Sequence, residues 1–328
     1  MIRRLFIHNF RNISDLELQF SEPLTIFHGQ NGQGKTNILE AISIVSCGSS
    51  FREPKKALWL PFTLAKVDFV ELRAETDTDT QKVIVAAASG QSKPQIKYWR
   101  DDVVLPLHQF VGTLPVVAFR PEDMNLFILE PQLRRSFLDS ALIQTSFAYR
   151  DAFVQAKKIL TQRNALLKHA YANPSLLDEQ LRFWNEQYLQ HSNHIQEERC
   201  QLIDFINARL AETYQRFSSQ NLPLQLAYQK SVFDPSKYAE IEKHRGFTMS
   251  GQHRDDFTVV DSIHTEPWIS TCSRGEMRTI ILALKSIVVD FLIEQTHATP
   301  ILLLDDLLSE FDDDRQQLVL SWTARCQL

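Results

Sequence analysis

The eight residues Gly29-Gln30-Asn31-Gly32-Gln33-Gly34-Lys35-Thr36 constrain this chain more than any other stretch. An apolar run, Leu24-Thr25-Ile26-Phe27, precedes them, and an amphipathic one, Asn37-Ile38-Leu39-Glu40-Ala41-Ile42, follows. Strand, glycine loop, helix is the context in which two glycines flanking four residues, then Lys and Thr, form a phosphate-binding loop. Gly29, Gly32 and Gly34 let backbone N–H groups turn inward around an anion with no side chain in the way. The positive end of the next helix adds to that field. The expected nucleotide seat is therefore the backbone of Gly29, Gln30, Asn31, Gly32, Gln33, Gly34, Lys35 and Thr36. Lys35 is expected to reach the outer phosphates as a catalytic cation, and the Thr36 hydroxyl to be a ligand for Mg²⁺. The expected cofactors are ATP and Mg²⁺.

Such a loop needs a second half. Ile301-Leu302-Leu303-Leu304-Asp305-Asp306 is apolar throughout, as a buried parallel strand should be, and ends in two carboxylates. Ligands bind beyond the carboxyl ends of such strands. Asp305 is the expected Mg²⁺ residue, directly or through water. Asp306 is the candidate for polarising the attacking water. Taken alone the pair would read as a strand end followed by a turn, so the glycine loop is what gives it meaning. About 270 residues separate Lys35 from Asp305. Small phosphate-loop GTPases and kinases keep these parts closer. The spacing predicts one ATPase head assembled from both ends of the chain around a long insert.

Ser273-Arg274-Gly275-Glu276 opens a helical segment, 277–294. As local physics Ser273 is a helix cap. As a functional element, Ser273 and Gly275 present a hydroxyl and backbone N–H groups to an anion, here the γ-phosphate bound to a second subunit. Ser309-Glu310-Phe311-Asp312 would line the same dimer interface.

Elsewhere, alternation predicts strands at 2–8, 16–20, 67–76, 82–87 and 95–105, with a hairpin turn at Asp101-Asp102, and a short apolar strand at 116–119. From residue 132 the period becomes helical. After a break at Asn173-Pro174-Ser175, the apolar stripe Leu177, Leu181, Trp184, Tyr188, His191 and Ile195 continues through Leu202, Ile206, Leu210, Tyr214 and Phe217. That is one long helix or two in series. It suits a short coiled arm or a plain helical subdomain with one buried face. Strand character returns at 224–228 and 257–260, with a linker and short helix at 231–246. The expected division is 1–130, the N-terminal part of an ATPase head; 131–220, a helical arm; and 221–328, the C-terminal part of the head. The expected fold class is α/β, a P-loop ATPase head with an inserted α-helical arm subdomain.

With 328 residues, 44% hydrophobic and 23% charged, the chain has the composition of a soluble protein of about two domains. Its net charge of -5 advertises no nucleic-acid partner, so any DNA contact needs a local basic face. Candidates are Arg3, Arg4, Arg11, Arg52, Lys55, Lys56, Lys157 and Lys158. Cys47, Cys200, Cys272 and Cys326 have no Cys-x-x-Cys spacing, which argues against structural zinc and a disulfide framework. No signal-peptide core or membrane-length apolar stretch occurs, and the expectation is a cytoplasmic protein with no membrane partner. His253, Asp255 and Asp256 could suggest a nuclease metal site. No other acidic motif of that character accompanies them, so a structural or nucleotide-contacting role is preferred.

In their order, the phosphate loop, the Ser-x-Gly helix start and Leu-Leu-Leu-Asp-Asp resemble the ABC-type ATPase heads of the SMC and RecF group. Further stretches are similar to the RecF family across nearly the whole chain. They are Asn9-Phe10-Arg11-Asn12, Gly34-Lys35-Thr36-Asn37, Ser50-Phe51-Arg52, Pro121-Glu122-Asp123, Arg134-Arg135-Ser136-Phe137-Leu138-Asp139, Gln162-Arg163-Asn164-Ala165-Leu166-Leu167 and His253-Arg254-Asp255-Asp256. The resemblance implies an ATP-dependent homodimer with two nucleotides between its heads. It implies binding of duplex DNA or single-strand/duplex junctions, and release by slow, DNA-stimulated hydrolysis. It also implies a role in loading recombinase at single-strand gaps in repair and replication, with RecR-like and RecO-like partners.

Three departures stand against it. Glu276 replaces the usual Gln, and a carboxylate beside a partner's γ-phosphate repels it unless it points away or pairs with Arg278. Gly251-Gln252 replaces Gly-Pro before His253. The family also continues past the carboxylates into a helix and a further strand, whereas this sequence ends at Leu328 where that strand begins, so the head is expected to lack it. The alternative expectation is a non-catalytic nucleotide-binding scaffold for partner proteins.

Overall fold

The computed structural model describes residues 1–53, 55–60, 69–86, 94–168, 174–261, 263, 267–306, 313–323, 326 and 327, without the side chains of 174–177 and 313–315. The chain divides into two compact units. One is Met1–Pro121 with Leu292–Leu328, and the other is Glu122–Phe291.

The first unit is built from both chain ends. Strands β1 (Ile2–Phe10) and β2 (Ile13–Gln19) form a hairpin, followed by helix α1 (Lys35–Cys47). Then come β3 (Phe69–Thr76), β4 (Thr80–Ala86), β5 (Gln95–Arg100) and β6 (Val103–Leu105). These six strands form one antiparallel sheet in the order β2-β1-β3-β4-β5-β6. Alternation works as predicted. Leu5, Ile7, Val70, Leu72, Val83 and Val85 are buried on one face, where α1 packs. Arg4, Phe6, Arg73 and Lys82 stand on the other, with the Arg73 guanidinium 4.0 Å from the Phe6 ring centre. Asp101 and Asp102, at φ 46° and 65°, make the tight β5–β6 turn that two left-handed residues allow.

After a single helical turn, α2 (Leu107–Phe110), the chain forms β7 (Val116–Phe119). β7 pairs in parallel with β10 (Ile301–Leu304), Ile301 opposite Val116 and Leu304 opposite Phe119. β10 is flanked by α10 (Asp313–Thr323), whose Trp322 ring meets Phe119 edge-on. Gln327 ties the two ends of the chain together. Its backbone oxygen accepts from Leu302 N at 2.7 Å, while its side chain exchanges two hydrogen bonds with the Ile2 backbone.

One expectation fails here. Leu24-Thr25-Ile26-Phe27 is not a strand. A strand exists by its ladder, and no described segment runs beside this one. Leu24 and Ile26 are 47% and 72% exposed, and a cavity of about 990 Å³ separates the segment from β10.

In the second unit, α3 (Asn125–Ile128), α4 (Pro131–Thr145) and α5 (Phe147–Lys168) lead into α6 (Pro174–Asn207) and α7 (Leu210–Ser218). The long apolar stripe is thus two helices in series, and α5 packs along α6. The residues before Pro174, including Asn173 of the expected break, lie outside the described set. β8 (Leu224–Gln229) and β9 (Asp256–Asp261) form an antiparallel ribbon, with α8 (Pro235–Arg245) between them in sequence. Asp234 caps α8 through Ser236 N and Lys237 N. Helix α9 (Arg274–Thr296) starts in this unit, and its residues 279–289 are all buried, as in a helix without a wet face.

Polar residues cross the α6 seam at the same helical spacing as the apolar ones. Arg199, 1% exposed, lies between Asp139 and Asp255, at 2.7 and 2.9 Å. Tyr149 donates to Asp139, while Gln196 and Tyr228 donate to Asp255. Asp256 takes both forks of Arg134. Two of the stretches that carried the resemblance, 134–139 and 253–256, therefore meet as an internal brace, and both carboxylates of the 255–256 pair are already engaged by arginines.

Candidate nucleotide-binding site

The phosphate loop, α1, Asp305 and Asp306 belong to the first unit. Gly34 caps α1 at φ 97° with no side-chain acceptor, so the first N–H groups of α1 have no partner from a cap. The conformation at φ 97° favours glycine, and a Cβ on Gly34 would stand 3.0 Å from the end of the Asn12 side chain, a tight contact. Lys35 folds over its own loop. Its Nζ donates to the carbonyls of Gly29 and Gln30 at 2.8 and 2.9 Å. An ammonium has three N–H donors, so it can turn one to an anion while these two bonds persist.

Thr36 Oγ1 donates to Asp305 Oδ1 at 2.9 Å. β10 holds Asp305 there, because Asp305 N continues the ladder to Phe119 O at 2.9 Å. A hydroxyl and a carboxylate meeting beside the start of α1 are hard oxygen donors that fit Mg²⁺. Asp306 follows at φ 53°, a left-handed conformation rare for a non-glycine residue. The residues 309–312 expected at a dimer interface lie outside the described set.

A shell of side chains borders the loop. Arg11, at φ 58° in the β1–β2 turn, makes a fork to the buried Glu40 of α1 at 2.6 and 3.1 Å. Ser50 donates to the same carboxylate. Asn12 Nδ2 donates to Gly32 O at 3.1 Å, Asn37 Nδ2 to Asn12 Oδ1 at 2.7 Å, and Arg52 Nη1 to Asn37 Oδ1 at 3.4 Å. These residues sit in stretches already singled out, Asn9–Asn12, Gly34–Asn37 and Ser50–Arg52. Their position in motifs was the signal, and their roles were not legible from it.

Several candidate DNA-contacting cations are engaged within the chain. Arg3 pairs with Asp77, Arg4 with Glu17 and Glu75, and Arg11 with Glu40. Lys56 is half-buried and donates to Tyr98 Oη at 3.1 Å. Burial lowers its pKa and pushes that of Tyr98 up to about 12. Arg52, Lys55, Lys157 and Lys158 are exposed.

In the second unit, Ser273 and Glu276 form a reciprocal capping box at the start of α9. Ser273 N donates to Glu276 Oε2 at 2.8 Å, and Glu276 N to Ser273 Oγ at 3.3 Å. The carboxylate expected to repel a phosphate, or to need Arg278, is thus folded back onto an N–H of its own helix start.

A family model described as "AAA domain" matches residues 4–98. The DNA replication and repair protein RecF of Bacillus thuringiensis (strain Al Hakam) is 31% identical over 98% of this chain and 88% of its own length. The chain belongs to the RecF family. The RecF of Oceanobacillus iheyensis is 28% identical over 98% of this chain and 89% of its own. Two solved structures described as the recombination mediator protein RecF of the RecFOR pathway, one with ATPrS and one with ATP, are 25% identical. They superpose with TM-scores of 0.87 and 0.86, over 100% and 98% of this chain and 91% and 88% of theirs. The fold is that of the RecF ATPase head: α/β, assembled from both chain ends around a helical insert. Among the described residues no helix is long and apolar enough to cross a membrane.

Proposed function

We propose that this chain is a RecF-type ATPase of DNA repair and replication, which dimerises on ATP, holds DNA while dimeric and lets go on slow hydrolysis. The observation that carries the reading is the Thr36–Asp305 bond, which joins the phosphate loop to the end of β10. In this reading the loop N–H groups from Gly29 to Thr36 hold the phosphates, and Lys35 turns an N–H donor to the outer ones. Thr36 and Asp305 hold Mg²⁺, which would neutralise charge on those phosphates when bound. Asp306 polarises the attacking water. Ser273 and Gly275 of a second copy close over the γ-phosphate. DNA affinity would rest on phosphate contacts and fall steeply with salt. RecO-like and RecR-like partners enter only through the relatives. The 131–220 segment is proposed as the arm.

The test is the oligomeric state by sedimentation, with and without ATP and duplex DNA, for the wild type, Lys35→Met and Ser273→Arg. Only the wild type is expected to dimerise, and only with ATP. A wild type that binds ATP and stays monomeric would overturn the clamp in favour of a nucleotide-binding scaffold.

A further inference from the structure

Arg52, Asn37, Asn12 and the Gly32 carbonyl form an unbroken chain of hydrogen bonds. Chemistry fixes its direction at both ends. A guanidinium can only donate and a carbonyl can only accept. Each amide between them must therefore turn its oxygen toward Arg52 and its nitrogen toward Gly32, which removes the usual ambiguity between amide O and N. All the donors point one way, and aligned chains of this kind polarise one another.

The last link acts on the loop itself. A trans peptide is planar, with its C=O and N–H on opposite sides. Holding the Gly32 carbonyl toward Asn12 therefore turns the next N–H, that of Gln33, the other way. Asn12 also lies against the floor of the loop, 3.0 Å from where a Gly34 Cβ would be. Asn12 itself is held from below, because the adjoining Arg11 is forked onto the buried Glu40.

We propose that Asn12 is a positioning residue that sets the Gly32–Gln33 peptide so that the Gln33 N–H faces a bound phosphate. Asn37 orients Asn12, and Arg52 orients Asn37. The proposal rests on the nucleotide-binding reading above and adds to it a residue from the β1–β2 turn. The Asn12 side chain is exposed, so its loss is expected to leave the fold intact while releasing the Gly32 carbonyl and the Asn37 amide.

The test uses the full chain and ADP. Calorimetric titration gives affinity for the wild type, Asn12→Ala and Asn37→Ala, and melting without nucleotide reports the fold. Asn12→Ala is expected to weaken ADP binding about tenfold, the scale of one bond to a charged acceptor, with an unchanged melting temperature. Asn37→Ala is expected to lose less, because Gly32 still holds the Asn12 amide. With ¹⁵N-labelled glutamine, the Gln33 amide resonance should move in Asn12→Ala before any ligand is added. Wild-type affinity in Asn12→Ala, or a Gln33 resonance that stays in place, would overturn the positioning role. A fall in melting temperature that matches the fall in affinity would make Asn12 structural instead. A wild type that binds no nucleotide would remove the underlying reading, and this one with it.

Discussion

Thr36 and Asp305 are 269 positions apart in the chain, and their side-chain oxygens are 2.9 Å apart in the fold. The pair should govern metal-assisted nucleotide binding. Asp305→Asn keeps an acceptor for Thr36 and removes the charge. It is expected to cut the Mg²⁺-dependent gain in ATP affinity by about tenfold to a hundredfold, the range for groups that hold or orient a metal ligand. ATP affinity in the presence of a chelator should not fall, because without metal the Asp305 carboxylate only repels phosphate. An equal Mg²⁺-dependent gain in variant and wild type would rule the pair out as the metal site.

Arg199 offers a stability test away from that site. It lies between two buried carboxylates, and burial by itself raises the pKa of Asp139. Removing one member of a buried ionic cluster costs about 3–5 kcal/mol, because the other charges are left uncompensated. Arg199→Met should lower the unfolding free energy, read from a urea titration, by an amount in that range. Adding Asp139→Asn and Asp255→Asn to the same chain should restore part of the loss. A loss under about 1 kcal/mol would mean the cluster is solvated.

His253 predicts a pH dependence. Its Nε2 faces the Thr248 carbonyl at 3.2 Å, so Nε2 carries the proton and Nδ1 accepts from Tyr188 Oη at 2.7 Å. Burial, with Arg254, Arg135 and Arg163 nearby, pushes its pKa down to about 4 from 6.5. Between those values the unfolded chain binds the extra proton and the folded chain does not, so stability rises with pH. The contribution is complete above pH 6.5 and is lost as pH falls toward 4, at most about 3 kcal/mol. His253→Gln should flatten that part of the stability profile. A wild-type slope that survives the substitution would assign it to other groups.

Glu276 should behave as a cap. Glu276→Gln keeps an oxygen for Ser273 N and is expected to be neutral in melting temperature, whereas Ser273→Ala should cost about 1 kcal/mol. If Glu276→Gln instead strengthened ATP-dependent dimerisation strongly, the carboxylate would be opposing phosphate despite its bond to the helix.

Where motif and period are local, the sequence was readable. The glycine loop, Ile301–Asp306, the Asp101-Asp102 turn and the helical stripe follow from neighbours within a few residues, whereas the break that makes the stripe two helices does not. The segment Leu24–Phe27 was misread, since an apolar run says nothing about whether a neighbour exists to share its ladder. Arg199 and Gln196 escape period-counting, which treats polar residues as gaps in a stripe. Their partners lie in α4 and around β9, and no local pattern announces them. Asn12 was visible as part of a motif, but its bond to Gly32 depends on a turn and a loop meeting in space.

The distance from Thr36 to Asp305 also sets a timetable for the newborn chain. At about 5–20 residues per second, the second half of the site leaves the ribosome on the order of 15–50 seconds after the first. Through that interval β7 has its side chains ready and no β10 beside it. The apolar edge Val116–Phe119 is then open to any other strand in the cell, while residues 122–291 already have their own partners. The nucleotide seat is thus a late product of synthesis, and the nascent protein is most exposed to misassembly, and most in need of a chaperone, just before it becomes able to bind ATP.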